Sequence, residues 1–410
     1  MKSQLETLHK RVAGIDVHRM KHVVTLLIED QTGNLTRQCR EFGGFRRDPR
    51  ALAAWLCESG VELVVLESTG IYWKSVHARL EEVGLTTWVV NAHHVKHVPG
   101  RKTDVADSEW LAQLGRYGLV RPSFIPPKDL RELRLVSRYR RKVQANLAAE
   151  TNRPHKFLDD AGIKHGGLVA DLNGQAARAI VDGLIDGRAP CELIKLAGRL
   201  KAPKESLLAS LEGDLSDRHR LVLREIREHL QQLQTRLDRL DADLRDAMVP
   251  YAFAWTLLQT IPGIGEIAAA LILIEIGDDL SHFGSAERFA SWAALCPGNY
   301  ESAGKRKSGK TRKGNSMVRY LLCEAANGAI RTASVFREKY RGLVVRRGHK
   351  KAIVAIAHKL IRTIWFLFTR RQAYHDSGID YAAANVKKNA PRWIKALRTH
   401  GFVVKLAAAH

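Results

Sequence analysis

The chain has 410 residues, with 66 Lys and Arg against 43 Asp and Glu, a formal net charge of +23. That length allows two or three domains with sizeable cores, and such a cationic excess selects a polyanionic partner, nucleic acid before membrane. No uninterrupted apolar run approaches the roughly 20 residues that span a bilayer. Met1 to Arg11 carries no signal-peptide core, and the five scattered cysteines form no Cys-x-x-Cys pair. A membrane protein, a disulfide framework and a zinc site are therefore set aside, and a cytoplasmic protein is expected.

Val12 to Val17, Val23 to Glu29 and Leu35 to Phe42 are closely spaced β-type runs, as in an antiparallel meander. Asp48 to Glu58 reads as a helix. Leu63-Val64-Val65-Leu66 is a continuous apolar run, the pattern of a buried parallel strand, and it ends in Glu67. A turn at Ser68-Thr69-Gly70, a helix over Tyr72 to Val83 and a buried strand at Thr87 to Val90 follow. A last helix opens on Asp104. Three strands, helix, strand, helix, strand, helix is the order of a ribonuclease-H-like α/β domain.

Four acids fall at telling places in that order. Asp16 sits among apolar residues, where an unpaired charge is costly. Glu67 ends a central strand, where open α/β sheets place their ligands. Asp104 and Asp107 stand one turn apart on one helical face. In a ribonuclease-H-like sheet the first and fourth strands are neighbours, so Asp16 and Glu67 converge and the helical pair closes the site. Four carboxylates suit one or two Mg²⁺ ions flanking a phosphodiester. The plainer reading of the pair is a solvated helix N-terminus whose dipole favours acids. His93, His94 and His97, beside Lys96, Arg101 and Lys102, read as a cationic loop near phosphate rather than a transition-metal site.

The next stretch is strongly basic, with Lys128, Arg131, Arg134, Arg138, Arg140, Arg141 and Lys142 opposite an apolar side of Leu130, Leu133 and Val136. So many cations, far outnumbering the acids beside them, favour contact with backbone phosphates over a merely solvated face. Asp159 to Gly187 is Gly-rich and weakly patterned. Leu223, Ile226, Leu230, Leu233, Leu237, Leu240 and Leu244 then alternate spacings of three and four, an a/d seam. An intermolecular coiled coil is expected there in preference to a hairpin packed within the monomer. After Pro250, Ile261-Pro262-Gly263-Ile264-Gly265 between apolar runs resembles a helix-hairpin-helix, whose glycines free backbone N–H groups for a DNA phosphate. Cys296 to Asn315 reads as a polar loop with Lys305, Arg306, Lys307, Lys310, Arg312 and Lys313 and several hydroxyls. A hydroxyl among those cations is a candidate nucleophile, and a phosphate-gripping loop without chemistry is the alternative. Met317 to Arg331 and Lys350 to Arg371 are amphipathic helices.

Taken in order, Gly14-Ile15-Asp16-Val17-His18, Glu67-Ser68-Thr69-Gly70, Lys102-Thr103-Asp104-Val105-Ala106-Asp107, Ile261-Pro262-Gly263-Ile264-Gly265 and Glu301-Ser302-Ala303-Gly304-Lys305 resemble the DEDD-type transposases of the insertion-sequence 110 family. The resemblance covers about residues 10–370, with Ala303 a small departure from a Ser-Gly-Gly-like run. It implies a RuvC-like, Holliday-junction-resolvase-like domain over 10–150 with Asp16, Glu67, Asp104 and Asp107 as Mg²⁺ ligands. It further implies a coiled-coil dimerisation segment within 151–250 and a mostly helical transposase domain over 251–375 with Ser302 as nucleophile. A basic tail occupies 376–410. The implied activity is cutting and rejoining of double-stranded donor and target DNA, with a protein–DNA link at the serine. An element-encoded structured RNA is implied as guide, and a homodimer or homotetramer as the assembly. Lys102, Arg138, Arg140, Arg141, Lys142, Gly263, Gly265 and the cations after Ser302 are read as nucleic-acid contacts. A structure-specific endonuclease using water on the same acids, and a non-catalytic nucleic-acid-binding protein, are the competing readings.

Overall fold

Each β-type run near the N-terminus becomes a strand of one sheet. β1 (Arg11–Val17), β2 (Lys21–Glu29) and β3 (Leu35–Gly43) form an antiparallel meander. α1 (Asp48–Glu58), β4 (Leu63–Glu67), α2 (Trp73–Glu82), β5 (Thr87–Val90) and α3 (Asp104–Arg116) follow in the computed structural model. The sheet order is β3-β2-β1-β4-β5, with β4 parallel to β1 and β5 parallel to β4. This is the ribonuclease-H-like order. The structure describes residues 6–68, 70–91, 104–169, 172, 174–198, 200–298, 300–302, 304–309, 311, 314–376 and 381–405.

The sheet is buried on both faces because β1 from Val12 to Ile15 and β4 from Leu63 to Leu66 carry no polar side chain. Ala13, Ile15, Val17, Val64 and Leu66 join Leu52, Leu56, Val76 and Leu80 of α1 and α2. The alternate residues, Val12, Leu63 and Val65, join Leu111, Ala112 and Leu114 of α3. At the edge, β3 is largely exposed and carries Arg37, Arg40 and Glu41, charges that discourage pairing with another chain. This unit spans Met1–Lys128.

The second compact unit is Asp129–His410, so the basic helix α4 (Lys128–Thr151) belongs with it rather than with the sheet. α5 (Asp217–Asp246) is the heptad helix, opened by Ser216, whose side chain accepts a hydrogen bond from the His219 N–H. The expected intermolecular coiled coil is not seen in this single chain, whose seam meets partners of its own. Leu233, Leu237 and Leu240 pack on Val143 and Leu147 of α4. Leu223, Ile226 and Leu230 pack on Leu158, Ile180 and Leu184 of the short helices between residues 153 and 210. The apolar stripe is covered inside one chain, as in the hairpin alternative, because α4 offers it an apolar row of its own.

α6 (Ala252–Gln259) and α7 (Glu266–Ile276) form a helical hairpin about the Pro262-Gly263 turn. α7 is apolar nearly all round and lies in the core. α8 (Ala286–Trp292), the hairpin β6 (Tyr300–Ser302) and β7 (Lys305–Ser308), α9 (Ser316–Ala329) and α10 (Val335–Arg370) complete this region. α10 is broken at Gly348, where the backbone is non-helical. Its second half is long and apolar enough by composition to cross a bilayer, yet Ile353, Ile356, Leu360, Ile361 and Ile364 are buried in the core. The expected tail is not featureless: Tyr381–Thr399 is a helix, α11.

Candidate functional site

The acids of β1 and β4 meet through register. Ile15 pairs with Leu66, so Asp16 and Glu67 stand at adjacent positions one step further along the two parallel strands. Both continue the rows that face α3, because Gly14 and Val65, two residues earlier, touch that helix. A Cβ on Gly14 would lie 1.9 Å from the Ser108 carbonyl oxygen, and one on Gly115 would lie 2.5 Å from Val65 Cγ2. α3 therefore runs antiparallel to β1, with its N-terminal turn at the Asp16 end of the sheet. Asp104 opens that turn and the exposed Asp107 closes it. A buried hydrogen bond of 2.7 Å between the Thr25 and Ser108 hydroxyls fixes the helix on β2.

His18 approaches Asp16, with Nε2 3.0 Å from Oδ2, and the Asp16 side chain is 20% exposed. The donor set here is entirely carboxylate, the chemistry of a hard cation such as Mg²⁺ rather than of zinc. Among the described residues no three His, Cys, Asp or Glu side chains are gathered closely enough to hold an ion. The Asp104 side chain, Lys102 and the three histidines His93, His94 and His97 lie outside the described residues.

The second expected site is not a loop. β6 and β7 pair in register Ser302↔Lys305, with Gly304 at φ +73° in the turn and a Pro297↔Thr311 bridge at the base. Ser302 is the last residue of β6, at the hairpin tip. Alternation of Glu, Ser and Lys with Gly at the turn carries that hairpin, and the polar composition hid it from a search for apolar strands. The side chains of Ser302, Arg306 and Lys307, and all of Lys310, Arg312 and Lys313, lie outside the described residues. Asp16 and Ser302 belong to different compact units.

Residues 13–163 match the DEDD transposase model of the IS110 group, and residues 255–341 match the transposase model of the IS116/IS110/IS902 family. The chain belongs to the IS110 family of transposases. A probable family 20 transposase of Pseudomonas aeruginosa is 27% identical over 325 residues, covering 76% of this chain and 85% of that one. A transposase for insertion sequence element IS1328 of Yersinia enterocolitica is 24% identical over 319 residues, 75% of this chain and 84% of that one. Among solved structures, Thermus thermophilus RuvC overlaps 28% of this chain and 99% of its own at 16% identity, with a TM-score of 0.23.

In this IS110-family transposase several cations expected on nucleic acid are held by acids from other helices. Arg140 makes a two-point ion pair with Asp241 of α5, the Nη2–Oδ2 distance being 3.0 Å. Arg134 and Arg138 reach the fully buried Glu275 of α7 at 3.2 and 3.5 Å. Arg141 lies 4.2 Å over the Tyr320 ring. Lys142 is exposed. The acids that pair this face are 101 to 141 residues away in sequence, so a local reading saw only the cations.

The two glycines of the helical hairpin also divide. Gly263, at φ +86°, packs on α9, where a Cβ would lie 2.3 Å from the Ala325 carbonyl oxygen. That close helix contact accounts for the glycine without a phosphate. Gly265 has no heavy atom within 4 Å of its Cβ position and caps α7 without a side-chain bond. The acid beside it, Glu266, is paired with Arg245 at 2.8 Å. Sequence reasoning missed Glu275 and Asn315, which link α4, α7 and α9. Asn315 donates to Glu275 Oε2 at 3.0 Å while its Oδ1 accepts from the Met317 and Val318 amides. A lone acid near the end of an apolar helix is the signal that marks such a hub.

Proposed function

We propose that the chain cuts and rejoins DNA by transferring a phosphodiester to Ser302, with Asp16, Glu67, Asp104 and Asp107 holding Mg²⁺ at the reacting phosphate. The observation that carries the reading is the adjacent register of Asp16 and Glu67 at the sheet end where α3 begins with Asp104 and Asp107. Membership of a transposase family makes DNA the substrate class. Mg²⁺, when bound, offsets the mutual repulsion of the carboxylates and the charge that develops on the phosphate.

The chain's own groups do the rest. Ser302 Oγ forms a bond to phosphorus as one P–O bond to a sugar breaks, and the leaving sugar oxygen takes up a proton. The reverse attack by a sugar hydroxyl of another strand restores a phosphodiester and frees the serine. His18 holds Asp16 in place through its 3.0 Å contact. The acids and Ser302 lie in separate units, so the hairpin tip must reach the acids in the assembled protein–DNA complex, a closure that completes the site. The resemblance extends the reading to guidance by an element-encoded RNA and to a homodimer or homotetramer.

The test is a denaturing gel with end-labelled donor DNA carrying the element ends. Wild type yields a protein-linked band that protease removes, and Ser302→Ala yields none while still binding DNA. A band that persists in the alanine variant means that Ser302 is not the nucleophile, and nicking without any adduct returns the reading to the water-using endonuclease. RNA that co-purifies from the native host is then sequenced, and one discrete structured species encoded beside the gene supports the guide.

A further inference from the structure

A cleft of about 880 Å³ opens between the base of the Ser302 hairpin and α10. Pro297, Gly309 and Thr311 form one wall. The rest is lined by Arg319, Lys339, Arg347, Lys350, Lys351 and His358 together with the apolar Leu295, Leu343, Ala352, Val354 and Ala355, and among the described residues no Asp or Glu lines it. Elsewhere in this unit basic side chains find acids, as Arg140 finds Asp241 and Arg134 finds Glu275. Here Arg347, Lys350 and Lys351 are exposed and face a cleft whose described lining is free of Asp and Glu.

The break in α10 shapes the cleft. Gly348 has φ 72° and ψ 165°, and no heavy atom lies within 4 Å of its Cβ position, so the glycine serves the backbone turn and not packing. Tyr340 Oη and His349 Nδ1 are 2.8 Å apart although nine residues separate them. A continuous helix would put those Cα atoms about 13.5 Å apart along its axis. The bend sets Arg347 on one side and Lys350 and Lys351 on the other, all three exposed and all three facing the same cleft. At the floor, burial first, then Arg362 and Lys339, hold the His358 imidazole below its ordinary range, while Glu287 pulls the other way.

We propose that this cleft holds the phosphate backbone of duplex DNA beside the bond that Ser302 attacks. The binding rests on the cleft alone, and its position relative to the cut rests on the serine reading above. Among the described residues no Phe, Tyr or Trp lines the cleft, and such stacking platforms are what single strands need. Pro297 at its mouth stands five residues before Ser302, at most about 17 Å of extended strand. That equals roughly five phosphate steps along one strand of a B-form duplex.

The experiment compares the full chain with the triple variant Arg347→Gln, Lys350→Gln, Lys351→Gln. Binding to a short duplex DNA of arbitrary sequence is measured as a function of salt. The slope of log K against log salt falls by roughly 2 to 3 in magnitude if three phosphates are lost. A charge-matched control, Arg224→Gln, Arg236→Gln, Arg239→Gln on α5, changes it by less than about 1. An unchanged slope in the cleft variant, an equal change in the control, or a loss as large on duplex RNA as on DNA overturns the proposal. All the substituted residues are exposed, and an unfolding midpoint equal to wild type shows that each variant is folded. Ethylating phosphates about five nucleotides from the cut should weaken wild-type binding and leave the triple variant indifferent. Ser302→Ala must keep the wild-type slope, and a wild-type chain that forms no adduct while the cleft effect stands sinks the serine reading alone.

Discussion

Gly14 and Ser108 are in backbone contact so close that a methyl group on the glycine would stand 1.9 Å from the serine carbonyl oxygen. That contact sets how near α3 lies to β1, and so where the Asp104 turn stands relative to Asp16. Gly14→Ala must push the helix outward, and overpacking of this kind costs about 1–3 kcal/mol. The expected result is a lower unfolding midpoint and a larger loss of DNA cleavage than the lost stability explains. Ser108→Ala removes the hydroxyl bond to Thr25, worth about 1 kcal/mol, and leaves the helix backbone seated on Gly14. Its cleavage should stay near wild type. Full cleavage by Gly14→Ala would mean that the helix spacing is not part of the site.

His22 gives the first unit a dependence on pH. It is 2% exposed on β2 and neither ring nitrogen has a hydrogen-bond partner. Burial holds its imidazole below the ordinary range; Asp48 pulls the other way and His18 adds to the lowering. The unfolded chain therefore takes up this proton at a higher pH than the folded chain does. Stability is full above the unfolded value of about 6.5 and falls as the pH drops from there through the lowered folded value. Thermal melts between about pH 7.5 and about pH 5.5 should show the first unit losing stability, and His22→Leu should flatten that profile. A variant profile as steep as wild type would move the effect to another group.

Glu275 predicts the energetics of the second unit. Its carboxylate is fully buried and faces Arg134, 19% exposed, and Arg138, 54% exposed. Glu275→Gln leaves the Arg134 charge buried without its counter-charge, a change that costs about 3–5 kcal/mol. Arg138→Gln removes a mostly solvated partner and should cost less than about 1 kcal/mol. Denaturant unfolding of the two variants measures the contrast. Similar losses would show that the pair contributes through packing rather than charge.

The strands of the first unit were legible because each is a short, uniform signal: β1, β2, β4 and β5 carry apolar runs that end where turn residues begin. The register that brings Asp16 beside Glu67 follows from the ribonuclease-H-like order once those strands are recognised. The serine hairpin was not legible, since Tyr300 to Ser308 pairs polar residues whose pattern resembles a loop. Partners were the other blind spot. The heptad seam of α5 states that an apolar surface will be covered, and nothing in its spacing says whether α4 or a second chain covers it. The cations of α4 show the same blindness, for Asp241 and Glu275 come from distant helices.

That answer for the seam has a measurable consequence. Leu233→Asp with Leu237→Asp places charges against Val143 and Leu147 inside one chain. Each should cost several kcal/mol of stability. The loss should appear as unfolding of the second unit that does not depend on protein concentration. A folded variant whose mass by light scattering has merely halved would put the seam at an interface between chains.

The carboxylates give the last prediction. Asp16 and Glu67 stand at adjacent positions at the sheet end where α3 opens with Asp104 and Asp107, and like charges drawn together there oppose folding unless a cation joins them. An ion that binds only the folded unit stabilises it by RT ln(1 + [L]/Kd), about 2.7 kcal/mol at a hundredfold excess over Kd. Mg²⁺ should therefore raise the unfolding midpoint of the first unit, and the rise should shrink in Asp16→Asn and in Glu67→Gln. Without Mg²⁺, Asp16→Asn should melt no lower than wild type, because it relieves repulsion while His18 still has an oxygen to bond. Both variants should lose strand cleavage and keep DNA binding, which rests on Lys and Arg contacts with phosphate. The water-using endonuclease makes the same demands of the acids, so this pair of measurements judges the metal site independently of Ser302. A Mg²⁺ shift equal in wild type and Asp16→Asn would place the ion elsewhere, and Asp16 would then be a strand residue held by His18 with no part in the chemistry.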